Sequence, residues 1–353
     1  MSFVEQFPVV IDEQSQGQRV DKFISQFIEG QSRSQVVDLI QGGKILVNSK
    51  SAKASYKLRS GDVLSVLEGF VKMAPEHYKE LISYNGPSLD VLFEDDRLVV
   101  VNKPEGLVVH PGAGVGMSDT LASWLQFEKK ISLTLGWPPE LIEDGRVGLV
   151  HRLDKGTSGA ILMAKDPATH QKLSDMFQNR NIHRIYWALV QGNLENRLSN
   201  RMSKLEGFLF KGWAALKRDS ALCWSLATNH KRDPKNPLRY RADKEGKRAI
   251  SNFICRSSRE EDSFVELKLS TGRTHQIRAH MALLGCPVMG DTLYGAKEAS
   301  RIFLHSRRVV FRHPWTNALI DLQASSRSFE SFSKILGYRP QDYNDNSLIS
   351  GQL

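Results

Sequence analysis

The sequence predicts an α+β chain in which a small αβ module precedes a larger domain. That domain is expected to hold a mixed, mainly antiparallel β-sheet flanked by helices and loops. Two observations carry the prediction. Near the N-terminus, Val20, Phe23, Ile24, Phe27 and Ile28 recur at the spacing of one helix face, and short apolar runs follow. From Val91 onward, strand-like runs are interrupted by helical patterns at irregular intervals, not in regular strand–helix alternation. The 353 residues suit two or three domains. The expected boundaries are an extension at 1–16, the module at 17–70, a linker at 71–87, the large domain at 88–337 and a tail at 338–353.

Within the module, Ser32 and Gln35 have capping-box spacing ahead of Val36, Val37 and Ile40, and Gly42-Gly43 would end that second helix. Ile45, Leu46 and Val47 read as a strand. Residues 56–67 read as strand, Ser60-Gly61-Asp62 turn, strand. So small a unit has a marginal core, which suits an accessory module. The polar stretch at 71–86, with Pro75 near its start, is longer than most intradomain loops.

In the large domain, strands are expected at 97–101, 107–109, 161–164, 184–190 and 264–269, and helices at 118–127, 168–179 and 274–284. Three polar clusters stand out. The first, GLVHRLDKGTSG, places His151, Arg152 and Asp154 in a Gly-rich loop between apolar runs, where backbone position serves function more than bulk. The second, HRIYWALV, alternates Arg184, Tyr186, Ala188 and Val190 onto one face. The third, STGRTHQIRAH, gathers Arg273, Gln276, Arg278 and His280 at a helix start. By residue type alone each also has a structural reading. Asp154 could cap a turn, Tyr186 could be core, and Arg278 could be a surface ion pair.

Composition excludes several classes. The formal net charge is +9, and hydrophobic residues make up 41%. These values fit neither a collagen-like nor a wholly disordered chain. Three scattered cysteines make no metal or disulfide framework, so a reducing compartment, the cytoplasm, is expected. The N-terminal residues show no basic region leading into an apolar one, and no apolar run reaches about 18 residues, so neither a secretory signal nor a membrane span is expected. No Walker-A motif appears, and the alternating Gly112, Gly114 and Gly116 lack a following helical pattern in register. His275 and His280 are not at helical metal-site spacing. Neither a metal nor a cofactor is expected.

Taken together, GLVHRLDKGTSG, HRIYWALVQG, KLSTGRTHQIRAHMALLGCPVMGDTLYG and FLHSRRVVF resemble the motifs of RluA-type RNA pseudouridine synthases, in the family's order. The upstream LFEDDRLVVVNKPEGLVVHPG is similar to that family's opening strands. RVDKFISQFIEGQSRSQVVDLIQGGKILVN and KLRSGDVL resemble the S4 RNA-binding domain, as in the RluC and RluD branch, which acts on large-subunit (23S) ribosomal RNA. The resemblance implies an isomerase with Asp154 as catalytic carboxylate, Tyr186 packing on the uracil and assisting deprotonation, and Arg278 paired with Asp154. It implies that Arg152 helps displace the base, that Ile277 walls the pocket, and that His151 and Arg273 contribute to substrate binding. Arg33, Ser34 and Gln35 would face RNA from the S4 module. Isomerisation gains no atoms and changes no oxidation state, which accords with an expected absence of cofactor.

One stretch departs from the family pattern. Residues 197–248 hold 14 Lys and Arg against 5 Asp and Glu, an excess equal to the whole net charge. Phe208, Phe210, Trp213, Trp224 and Tyr240 lie among them, a mixture suited to looped or single-stranded RNA. Residues 214–227 could instead be an added core element. Within 229–248, Lys231, Arg232, Lys235, Arg239 and Arg241 are the RNA-contact candidates. A non-catalytic ribosome-assembly factor on the same fold, a synthase acting on transfer RNA, and an S4-linked methyltransferase are the alternatives. A monomer is expected.

Overall fold

A computed structural model describes residues 8–25, 36–37, 40, 45–66, 84–111, 117–131, 137–202, 208–210, 214–220, 222–339 and 348. The chain divides into two compact units. One comprises residues 1–84, 110–118 and 122–147; the other comprises 85–109, 119–121 and 148–353.

In the first unit, helix α1 (Val20–Ile24) accompanies four short strands, β1 (Val9–Val10), β2 (Ile45–Val47), β3 (Lys50–Ser51) and β4 (Val63–Val66), ordered β1-β4-β2-β3. Of the expected helix face, Val20, Phe23 and Ile24 are buried and pack with Ile11, Ile40, Ile45, Leu58 and Leu64, while Phe27 and Ile28 lie outside the described residues. Asn48 and Ser49, both at positive φ, form the tight turn from β2 to β3. The first half of the strand pair expected at 56–67 is irregular, because Leu58 exchanges backbone bonds with Gly17 and Gln18, while the Tyr56 carbonyl accepts from Val20 and its N–H turns back to Lys53 O. Asp62 replaces regular pairing there. Its carboxylate accepts from Asn48 Nδ2 at 2.8 Å, the Arg59 N–H at 2.8 Å and Tyr56 at 3.1 Å. Gly42, Gly43 and the linker at 71–83 lie outside the described residues. Two further helices, α2 (Leu121–Glu128) and α3 (Pro139–Glu143), follow later in the chain.

The second unit is built on one 12-stranded sheet. Its strands are β5 (Asp90–Glu94), β6 (Leu98–Lys103), β7 (Ser158–Ala164), β8 (Ile182–Gln191), β9 (Phe208–Phe210), β10 (Ala214–Arg218), β11 (Cys223–Arg232), β12 (Tyr240–Ala242), β13 (Lys247–Ser258), β14 (Asp262–Leu269), β15 (Leu304–Arg312) and β16 (Leu319–Gln323). The order is β5-β6-β7-β15-β8-β14-β13-β11-β10-β9, with β12 on β11 and β16 on β15. The β7–β15 pair is parallel and the other named pairs are antiparallel, as the mixed-sheet expectation requires. Strand β7 is buried throughout, and β8 at all but its last residue, so the central strands read as continuous apolar runs instead of alternating ones. Helices α4 (Pro167–Gln178), α5 (Leu194–Met202), α6 (Gln276–Leu283) and α7 (Arg327–Ile335) complete the unit.

Two expectations need correction. The strand at 107–109 reduces to a single bridge, Val108 with Thr120, because Gly106 turns at positive φ and a buried lysine takes the Leu107 carbonyl. The basic insertion is no appended arm: from it the sheet takes β9 to β12 and the start of β13, and Ala214, Leu216 and Leu226 are buried. Residues 214–227 therefore follow the core-element reading. At the start of the expected tail, Tyr338 is buried with Phe264 and Phe329, and its hydroxyl bonds Asp262.

Candidate active site

Asp154 sits on the loop that enters β7. Thr157 N–H donates to Asp154 O at 3.0 Å, closing a turn that lifts the carboxylate out of the sheet. At the loop's far end, Gly159 has φ +111, and a Cβ there would come within 2.2 Å of the Ser306 backbone. Glycine is therefore required for β7 to pass β15 so closely. Ser306 is opposite Gly159 on one side and Tyr186 on the other, so neighbouring strands bring the loop and Tyr186 to one part of the sheet. Tyr186 is buried in β8. Among the described residues its hydroxyl has no hydrogen-bond partner.

A lysine that sequence reasoning passed over supports this loop from behind. Lys103, at the end of β6, is fully buried. Its Nζ donates to Pro104 O at 2.8 Å, Leu107 O at 2.9 Å and Lys155 O at 3.5 Å. Gly106 N–H also reaches Lys155 O at 2.8 Å. The residue following Asp154 is thus tied to the segment following β6. Burial pushes the Lys103 ammonium down to about 7, and the negative charge of Asp154 opposes that shift.

Helix α6 supplies Arg278, and two buried polar side chains fix its orientation. Gln276 uses both ends of its amide. Its Oε1 accepts from Thr271 Oγ1 at 2.8 Å and Arg273 N–H at 3.0 Å, while Nε2 donates to Ile250 O and Ser251 Oγ, each at 3.0 Å. His280 bonds Thr228 at 3.0 Å and Ser251 at 2.9 Å through its two ring nitrogens. Burial drives His280 down to about 3, so it remains neutral. The helix begins at Gln276 instead of residue 274, because His275 takes the left-handed conformation, φ 55 and ψ 21.

Arg278 spans two carboxylates. Nε and Nη2 donate to Asp291 Oδ2 and Oδ1 at 2.6 and 2.9 Å, while Nη1 reaches Asp154 Oδ2 at 3.3 Å. Burial alone would lower the guanidinium's pKa, but the bonds and charges of Asp291, joined by Asp154, raise it above the ordinary value. A bidentate bond fixes the guanidinium plane and leaves its third nitrogen for Asp154. Asp291 is fully buried and was not among the sequence candidates. Only its place in the GDTLYG segment hinted at it. His275 Nε2 is 3.9 Å from Asp154 Oδ2, and burial lowers the pKa of its ring.

The other candidates divide. Ile277 is buried beside Arg278. Arg152 is exposed, and its charge helps depress the His275 pKa, which locates it electrostatically with the site. His151 turns inward: Nε2 accepts the Leu162 N–H at 2.9 Å, and its ring packs on Phe177 at 4.7 Å. It is half-buried, its pKa is held well below the ordinary value by burial, and it braces β7 through the backbone. Arg273 is exposed and donates through Nε to Arg248 O at 3.2 Å. Arg33, Ser34 and Gln35 lie outside the described residues. In the basic segment, Lys231 pairs with Glu245 at 2.7 Å and Arg241 with Asp243 at 2.9 Å, so part of its positive charge is met internally. Arg232, Lys235 and Arg239 form no ion pair among the described residues.

A family model described as RNA pseudouridylate synthase matches residues 97–283, and one described as S4 domain matches 18–64. "Uncharacterized RNA pseudouridine synthase YlyB" of Bacillus subtilis is 30% identical over 325 residues, covering 91% of this chain and 94% of its own. "Ribosomal large subunit pseudouridine synthase D" of Xanthomonas campestris is 31% identical over 324 residues, covering 86% and 84%. The solved structure of human RNA pseudouridylate synthase domain containing 4 aligns with a TM-score of 0.48 at 22% identity, over 70% of this chain and 93% of that one.

Proposed function

The chain belongs to the RNA pseudouridylate synthase family and is an isomerase, and from that premise we propose that it converts specific uridines of large-subunit (23S) ribosomal RNA to pseudouridine with Asp154 as the catalytic carboxylate. The observation that carries the proposal is the Asp154–Arg278–Asp291 arrangement. One carboxylate is held by a guanidinium that a second, fully buried carboxylate aims.

The reaction breaks the N1–C1′ bond, turns the uracil and joins C5 to C1′, after which C5 loses its proton. Carbon C1′ becomes electron-poor as N1 departs, so a carboxylate is required either to attack it or to stabilise it. Asp154 supplies that group, and Arg278 orients it. The base must leave its stack, at a cost of a few kcal/mol. Exposed Arg152 on the same loop is placed to occupy the vacated position. Tyr186, buried and with no hydrogen-bond partner for its hydroxyl among the described residues, offers a flat face to the turned uracil and a group to help carry the C5 proton. Support for ribosomal RNA comes from the S4 domain and from relatives named ribosomal large subunit pseudouridine synthase D.

The test is pseudouridine mapping of unmodified ribosomal RNA treated with the wild type or with Asp154→Asn. New pseudouridine in large-subunit RNA with the wild type alone is expected. Equal RNA binding by both proteins without pseudouridine from either would sink the catalytic reading, while pseudouridine in transfer RNA alone would overturn the ribosomal target.

A further inference from the structure

We propose that Tyr294 clasps strand β12 to the catalytic centre, and that the clasp sets Arg239 at the mouth of the site to bind a backbone phosphate beside the target nucleotide. The inference rests on the reading of the chain as a synthase acting on RNA and gives one residue of the basic segment a specific place in it.

Strand β12 has little to hold it. It pairs with β11 over three residues, Arg232 with Tyr240, Lys231 with Arg241 and His230 with Ala242. So short an edge strand is weakly fixed by its ladder alone. A side chain takes the place of a further strand. Tyr240 N–H donates to the Tyr294 hydroxyl oxygen at 2.8 Å, and that hydroxyl lies 3.2 Å from Tyr240 O. Both backbone groups of Tyr240 thus face one phenol. The Tyr240 ring stacks on His230 with centroids 5.3 Å apart, and meets His275 edge-on at 5.8 Å.

The same hydroxyl reaches toward the chemistry. It lies 3.3 Å from His275 Nδ1, and His275 Nε2 is 3.9 Å from Asp154. The phenol has one proton for two acceptors; given to Nδ1, it leaves Nε2–H facing the Asp154 carboxylate. The Tyr294 ring also lies near cations of two origins. Arg278 is 5.3 Å from its centroid and Arg239 is 5.2 Å. The Arg278 charge is committed to Asp291 and Asp154. Arg239 is partly exposed, and no carboxylate pairs with it among the described residues. A nucleotide entering beside Asp154 brings a phosphate on each side, and a partly exposed guanidinium at this point offsets their repulsion by the carboxylate. Lys231 and Arg241, already paired with acids, are less suited to that task.

The test measures affinity of the full-length protein for an unmodified transcript of large-subunit ribosomal RNA across a salt series. Arg239→Ala should lower the slope of log affinity against log salt by about 0.7, the value for one phosphate of a single strand. Tyr294→Phe, which keeps the ring and removes the hydroxyl, should lower it similarly although Arg239 is still present. Arg239→Lys should restore the slope. In pseudouridine formation, the loss with either Arg239→Ala or Tyr294→Phe should fall mainly on KM, by about tenfold. Unchanged slopes in both variants overturn the proposal, and a slope that falls with Arg239→Ala but not with Tyr294→Phe overturns the clasp. If the wild type makes no pseudouridine in any RNA, the catalytic reading fails, and the salt slopes still decide this one.

Discussion

Arg278 makes its shorter bonds to Asp291, at 2.6 and 2.9 Å, and its longer one to Asp154, at 3.3 Å. The shorter pair anchors the guanidinium, and the longer one can yield to substrate. Asp291→Ala would leave the Arg278 charge buried with only the partly exposed Asp154 beside it. It should lower stability by about 3 kcal/mol, read from urea denaturation, and should also remove pseudouridine formation. Asp291→Asn keeps the shape but turns an N–H toward the guanidinium, and its rate should drop by on the order of 10². Full activity in both variants would refute the anchoring role. The sequence singled out Asp154 and Arg278 through their motifs, but they stand 124 residues apart, and nothing in their spacing shows that they meet. His151 shows the same limit: its place near Asp154 suggests substrate contact, and only the structure shows that its ring also bonds the backbone of the strand behind it.

Helix α6 shows how an element is aimed. Its apolar pattern announces a helix, but rotation about the axis is set by Gln276 and His280, whose side chains bond β11, β13 and the loop after β14. Gln276→Leu leaves the Ile250 carbonyl, the Arg273 N–H and the Ser251 hydroxyl without this partner. The loss should be about 2–3 kcal/mol of stability in urea denaturation, with Arg278 displaced and activity lowered beyond what the lost stability explains. Unchanged stability would show that water serves those groups equally well. The presence of helices and buried strands was legible because each is written in consecutive residues, but the start of α6 was not, since His275 turns left-handed. The bridge at Val108 was not, since a lysine side chain takes the Leu107 carbonyl that regular pairing would use.

At the scale of the whole molecule, several histidines are held neutral by burial. His280 is driven down to about 3 and His305 to about 4, and His151, His230, His170 and His275 are shifted the same way. Between these folded values and the unfolded value of about 6.5, the unfolded chain binds more protons. Stability is therefore fully present above about pH 6.5 and falls as pH falls toward the folded values. Each such proton contributes a slope of about 1.4 kcal/mol per pH unit. Lys103 acts in another window: from about 7 up to its unfolded value of about 10.5 the unfolded chain again binds the extra proton, so stability rises with pH there. The urea midpoint should drop steeply from pH 7 to 4.5 and climb modestly above 7. A flat midpoint across the acid range would refute the histidine account.

The sequence alone determined the S4 module, the mixed sheet and the family, and it singled out the candidate loop of Asp154, because these are carried by contiguous motifs and local periodicity. Tertiary structure decided which groups make Asp154 usable. Asp291 aims Arg278, Lys103 ties down the loop, and Tyr294 links β12 to His275. It also decided that the basic segment is part of the sheet. The reason is physical. A buried charge or a lone edge strand must find its partner through space, and one chain gives no local sign of which distant residue will satisfy it.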